Sequence, residues 1–409
     1  MVDSRDTRFN SSRAAVKVQG ATEIIRQSGY TAVSQPEALV PVFEQLTQMN
    51  SEHGRSPVHI VHFGDSHTAS DDLTARIRDL LKEQFGDGGS GFSFAGHPFR
   101  EYRRFDVRGG ATGGWSPAGL RSPGRDGYYG LGGVSISTRS PGQSIFITTD
   151  CDRLEVHYLQ QPGGGDVALF DSDKFLEKFS TAGDFAPGVI RYQTTPGTHR
   201  FLLKTLTSSP VSLFGWVADK ESGITYEALG INGVEASIIL RWDEKMFATY
   251  LNGRDPGLVV LAYGTNEAAD GSWSRERYEM MFSRLLQMIR RAIPTASILV
   301  VGPPDSCSRS HGILHPVAGL DGIVKAQQNA CRENGCAFWD LRQYMGGPGS
   351  MRDWVRAGLA EDDYIHLTRA GYQRVATALF TEIMRLYQQF TQIRLQISTS
   401  AADVQTGNR

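Results

Sequence analysis

Apolar and polar positions recur along this chain in two rhythms, and the changes of rhythm divide it into three stretches. Residues 36–50 (PEALVPVFEQLTQMN) carry apolar side chains at helical spacing, and 58–63 (VHIVHF) is a short apolar run stopped by Gly64, the pattern of a buried strand. Leu73, Ile77, Leu80, Leu81 and Phe85 then recur three or four apart, which predicts a helix between Thr68 and Phe85, ended by the glycine cluster from Gly86 to Gly91. From about Arg104 to Asp219 the period shortens to two. SIFITTD, RLEVHYL, DVALFDS, THRFLLKTL and VSLFGWV, separated by Gly, Pro, Asp and Ser turns, predict an all-β segment. After Asp219 the strands GLVVLAYG, ASILVVGPP and CAFWDL alternate with helices over Ser274 to Ala292, Leu320 to Asn334 and Arg369 to Phe390. The stretch beyond Leu395 is polar and reads as a mobile tail.

Strands that alternate with helices imply a parallel sheet covered on both faces, so the expected fold is an α/β layer domain interrupted by a β-sandwich. The boundaries expected are 20–103 and 220–392 for the two parts of the α/β domain, 104–219 for the insert and 393–409 for the tail. A length of 409 residues suits this arrangement. With 42 Lys and Arg against 44 Asp and Glu, and no basic run, the chain lacks the footprint of a nucleic-acid or anionic-membrane binder. No apolar run approaches the roughly 18 residues of a membrane-spanning helix. Cys151, Cys307, Cys331 and Cys336 have no paired CxxC spacing and leave the redox compartment open. The polar opening Met1-Val2-Asp3 has no signal-peptide core, so the chain is expected either in the cytoplasm or to lack its export signal.

Three loops share one placement, beyond the carboxyl end of a strand or before the last helix, where open parallel sheets put their sites. They are Gly64-Asp65-Ser66-His67, Gly264-Thr265-Asn266-Glu267 and Asp363-Tyr364-Ile365-His366. A serine hydroxyl needs a base to attack at neutral pH, and the base needs an acceptor that fixes its tautomer; Ser66, His366 and Asp363 can fill these roles. The Asn266 amide and a backbone N–H from a glycine turn could stabilise an oxyanion. Each residue also has a plain structural use: Ser66 as a helix cap, Asp363 and Asn266 as turn residues, His366 as a core or capping histidine. His59 and His62 fall on opposite faces of a strand, which argues against a metal pair. Gly86 to Gly91 fits GxGxxG but follows a helix, so no dinucleotide cofactor is expected. Trp115, Tyr128, Tyr129 and Trp216 could stack on sugars or fill the core of the insert.

Taken in order, these residues resemble the SGNH, or GDSL, hydrolase family. The matching blocks are Gly64-Asp65-Ser66, Gly230-Ile231-Asn232-Gly233, Gly264-Thr265-Asn266 and Asp363-Tyr364-Ile365-His366. The elbow G-x-S-x-G of the α/β-hydrolases is absent. Further stretches (Phe85-Gly86-Asp87-Gly88-Gly89, Gly302-Pro303-Pro304-Asp305 and Met345-Gly346-Gly347) look like the bacterial peptidoglycan O-acetylesterases, which carry a carbohydrate-binding-module-like β-sandwich at the place of the insert. The resemblance implies a three-layer, flavodoxin-like parallel sheet and a metal-independent serine esterase. Its nucleophile would be Ser66, its base His366 and its orienting acid Asp363. The oxyanion hole would be formed by Ser66, Asn266 and Gly233, with Gly230 as the alternative to Gly233. Glu267 stands where many family members have Asp. The substrate implied is an O-acetylated glycan, above all peptidoglycan, and the place implied is the periplasm or cell envelope. Rival readings are a polysaccharide O-acetyltransferase, a deacetylase of another polysaccharide, a lipid esterase and a non-catalytic glycan-binding protein.

Overall fold

The structure is a computed structural model that describes residues 22, 23, 25, 32–51, 56–119 and 127–406, with side chains through 397. Its central sheet holds six strands: β1 (Val33–Ser34), β2 (Val58–Gly64), β3 (Ile224–Gly230), β4 (Leu258–Ala262), β5 (Ser297–Val301) and β6 (Ala337–Trp339). They lie in the order β1-β6-β5-β4-β2-β3, and all pairs are parallel except β1 with β6. Apolar side chains sit on both faces, as a sheet covered on both sides requires. Along β4, Leu258 and Val260 enter one core and Val259 and Leu261 the other. The first core is shared with α1 (Val40–Met49), α2 (Asp72–Phe85) and α6 (Arg369–Thr406), the second with α3 (Glu244–Arg254), α4 (Arg275–Ala292) and α5 (Leu320–Asn334). The result is the expected three-layer α/β domain. Fully burying one such aliphatic side chain contributes about 1.5–3 kcal/mol, so the continuous strand cores LVVLA and SILVV are the main apolar anchors of the sheet.

The β-rich region is one nine-stranded sheet that starts at Gly89 and ends at Asp219. Its two long strands, Ser144–Gln160 and Ala186–Thr205, pair antiparallel with an irregularity between Gln193 and Gly197. Its first strand, Gly89–Phe94, pairs with its last, Val211–Asp219, so both chain ends of the region meet at the α/β domain. The region has its own core, which includes Leu154, Val156, Leu169, Phe201 and Trp216. Of the aromatics considered for sugar stacking, Trp216 and Tyr129 are buried. Trp115 donates its indole N–H to the Ser144 carbonyl, and Tyr128 stacks on the exposed Phe185 at 5.4 Å. Two further features were not foreseen: a hairpin over Cys307–Ser310 and Ile313–Pro316, and the extension of α6 past Phe390 to Thr406, with Ile393 still buried. No helix among the described residues is long and apolar enough to cross a membrane.

Candidate active site

The strand order reverses at β2, whose neighbours β3 and β4 follow it in the chain on opposite sides. Such a switch point opens a crevice at the carboxyl ends of the strands. Gly64 closes β2. A Cβ there would lie 2.0 Å from the Thr68 hydroxyl oxygen and 2.9 Å from the Ala262 carbonyl oxygen, so glycine lets the short helix Ser66–Ala69 fold back onto the strand ends. The Asp65 carboxylate caps that helix by accepting the His67 backbone N–H at 3.0 Å, which leaves Ser66 at the first helical position and in the cleft. Burial pushes the Asp65 carboxyl up to about 7 against the opposing pull of its hydrogen bonds and of His366.

The loop before α6 supplies the rest. Asp363 Oδ1 accepts the backbone N–H groups of Ile365 at 2.8 Å and His366 at 2.9 Å, and Tyr364, directly after Asp363, has φ of 60°. This tight turn swings the His366 ring back over its own aspartate. Oδ2 of Asp363 accepts the Nδ1–H of His366 at 2.7 Å, which leaves Nε2 unprotonated and 2.9 Å from the Ser66 hydroxyl oxygen. Partial burial raises the pKa of Asp363, but the hydrogen bonds from His366 and the two backbone N–H groups outweigh it and hold the carboxyl below its ordinary range. His67 lies behind, its ring 5.2 Å from that of His366 and its Nδ1 2.8 Å from the Tyr372 hydroxyl. Burial lowers its pKa to about 3, so it is neutral.

Asn266 is the second residue of the short helix Thr265–Asp270 after β4. Its amide donates to the Val234 carbonyl at 2.9 Å and reaches Asp65 Oδ2 at 3.4 Å. Gly264 before it has φ of 129°, a conformation open only to glycine, and a Cβ would meet the Pro303 ring at 2.8 Å. The two candidate glycines separate cleanly. Gly230 ends β3 with its Cα facing the backbone of Ala69, where a Cβ would lie 2.2 Å from the nitrogen, whereas Gly233, at φ 67°, lines the cleft with Ser66 and Asn266.

Glu267 is a buried brace. Its Oε1 accepts the Ala236 backbone N–H at 2.8 Å and lies 3.4 Å from the Tyr278 hydroxyl, which in turn accepts from Gln327 at 3.1 Å. The bond to Ala236 ties the Asn266 helix to the turn that follows Gly233. Burial pushes the Glu267 carboxyl up to about 8, so at neutral pH it is mostly protonated.

The cleft, about 940 Å³, has a wall that the sequence did not announce: Glu101, Arg103 and Phe105. The Phe105 backbone N–H bonds Asp71 Oδ2 at 2.7 Å, Asp71 pairs with the buried Arg78, and Arg78 and Arg104 share Asp106. This ionic cluster pins the wall to the start of α2. EYRRF has neither apolar period nor motif, so no sequence signal pointed to it. His59 bonds Thr225 and Arg254 while His62 bonds Tyr226, and no group of three or more His, Cys, Asp or Glu among the described residues could hold a metal ion.

A cleft at the switch point of a three-layer parallel sheet, with a Ser-His-Asp relay across it, is the architecture of the SGNH esterases. Residues 208–374 match the GDSL-like lipase/acylhydrolase family. The matched stretch begins near the end of the β-rich region, and the fold brings the block around Ser66 to it. The chain is an esterase with an SGNH-type fold. It is similar to a peptidoglycan O-acetylesterase of known structure, at 25% sequence identity and a TM-score of 0.74, with 85% of this chain and 96% of that chain covered. A family two carbohydrate esterase from Cellvibrio japonicus aligns at 10% identity and a TM-score of 0.27, covering 69% of this chain and 98% of that one. No curated protein sequence gave a match.

Proposed function

We propose that this esterase removes O-acetyl groups from peptidoglycan through an acyl-enzyme on Ser66. His366 Nε2 takes the hydroxyl proton as Ser66 attacks the acetyl carbonyl, and Asp363 holds the imidazole in the required tautomer and stabilises its charged form. The developing oxyanion meets the backbone N–H groups of Ser66 and Gly233 and the Asn266 amide, which exchanges its long 3.4 Å contact with Asp65 for the oxyanion. The sugar hydroxyl leaves with the proton from His366, and water activated by the same imidazole releases acetate. No step calls for a metal.

The observation that carries the reading is the continuous relay from Ser66 through His366 to Asp363 within a cleft that also holds Gly233 and Asn266. The choice of peptidoglycan rests on the likeness to the peptidoglycan O-acetylesterase, which runs through the β-rich region as well. It implies a place in the cell envelope, where that polymer is found. The test is acetate release from a panel of O-acetylated glycans, with Ser66→Ala as the blank. Release from O-acetylated peptidoglycan well above that from O-acetylated xylan is expected. Equal or greater release from the plant polysaccharide would overturn the choice of substrate, and release by Ser66→Ala would overturn the mechanism.

A further inference from the structure

The catalytic cleft does not end at its rim. A second basin of about 850 Å³ adjoins it, and the two share Asp72, Phe105 and Arg369. These three form a saddle: Arg369 Nε pairs with Asp72 at 3.2 Å, and its guanidinium lies over the Phe105 ring at 5.4 Å. Phe105 is 48% exposed although it is anchored through its backbone to the buried Asp71, so a large ring is held out at the junction by design of the wall beneath it.

Beyond the saddle the floor is α2 and α6, with Tyr344 at the far side. Charges here do not cancel. Asp106 is paired with Arg78 and Asp72 with Arg369, which leaves Arg76 and Arg374 against Asp79. Neither Arg76 nor Arg374 forms an ion pair with a described acidic side chain. Arg374 is instead kept in place by the Trp354 ring, 5.4 Å from its guanidinium carbon. Two available guanidinium forks, that of Arg374 set against an aromatic ring, suit a flexible chain that bears carboxylates.

We propose that this basin binds the acidic peptide borne by the muramyl sugar of peptidoglycan, with Arg76 and Arg374 as its carboxylate contacts. The proposal rests on the reading of the catalytic site given above. On a muramyl residue the 6-O-acetyl ester and the 3-O-lactyl peptide leave the ring on opposite sides. With the ester at Ser66, the ring sits at the saddle and the peptide points outward over it. At about 3.3–3.6 Å per extended residue, a peptide of three or four residues reaches roughly 10–14 Å beyond the sugar. Exposed guanidinium–carboxylate contacts are weak singly and screened by salt, so the gain is modest and resides mainly in KM.

The experiment compares acetate release from O-acetylated peptidoglycan fragments with their peptides intact or stripped by an amidase. It uses wild type and the double variant Arg76→Gln, Arg374→Gln, with p-nitrophenyl acetate as a peptide-free reference. Wild type is expected to turn over the intact fragments with a KM roughly three- to tenfold lower than the stripped ones, the advantage shrinking as salt rises. The double variant should lose that advantage while keeping wild-type rates on stripped fragments and on the small ester. Equal KM values for both fragments in wild type, or an equal loss on both in the variant, would overturn the proposal. Turnover of the small ester with no acetate from either fragment would instead overturn the assignment of peptidoglycan itself.

Discussion

Asp363 grips His366 at two points, accepting its backbone N–H at 2.9 Å through one carboxylate oxygen and its ring Nδ1–H at 2.7 Å through the other. One side chain therefore sets both the path of the chain and the tautomer of the ring it carries. In Asp363→Asn the backbone grip can survive, but the amide can offer an N–H to Nδ1 and turn the proton toward Ser66. The expected outcome is a fall in kcat of roughly 10²–10⁴ with KM little changed. Steady-state kinetics on a small acetyl ester check it, and a near-normal kcat would remove Asp363 from the relay.

Ser66 is expected to be the residue labelled by a fluorophosphonate, because only an activated hydroxyl attacks such reagents readily. Mass spectrometry of the labelled protein locates the adduct. An adduct on a different serine, or retained ester hydrolysis in Ser66→Ala, would contradict the assignment.

At Asn266 the expected loss is in the chemical step. Asn266→Ala should lower kcat by about 10²–10³, the effect of removing one oxyanion donor, with KM nearly constant. The same amide also holds the Val234 carbonyl at 2.9 Å, so the melting temperature must be compared with wild type first. A folded variant whose KM rises while kcat stays level would make Asn266 a ground-state contact.

Glu267 gives a pH dependence of stability. Its carboxyl binds a proton more tightly in the folded protein, where its pKa is near 8, than in the unfolded chain, near 4.5. The folded state therefore holds more protons between those values, and stability falls as pH rises from about 4.5 toward 8. Asp65, near 7 in the fold, adds a drop of the same sign that is complete sooner. Glu267→Gln removes this contribution, so the melting temperature of the variant relative to wild type should be higher at pH 9 than at pH 5. An unchanged difference would mean that Glu267 is ionised in the folded protein at neutral pH.

Much of this was legible in the chain. Runs such as VHIVHF and LVVLA declare buried strands because burial on both faces leaves no polar position to confuse the period. The site blocks stand at strand ends and before a helix, where the geometry of an open sheet collects them. What escaped depends on partners distant in sequence. The strand Gly89–Phe94 reads GSGFSF, with no branched side chain to announce it. It becomes a strand by pairing with Gly215–Asp219, and at Gly91 a Cβ would collide with the Glu227 carboxylate. The wall at Glu101, Arg103 and Phe105 is placed by ions from α2, a relationship that no local pattern encodes. Glu267 drew notice only as a departure from the family's aspartate; its bond to Ala236 depends on a turn formed 31 positions earlier.

Three hundred positions separate Ser66 from His366, and the whole β-rich sheet is threaded between them. During synthesis the hydroxyl is therefore made long before its proton acceptor, which comes just ahead of the helix that must dock to seat it. A ribosome-bound or prematurely terminated product holds a serine with no base and cannot cleave an ester. Competence arrives in a single event, when that helix docks, and the chain stays chemically silent until then.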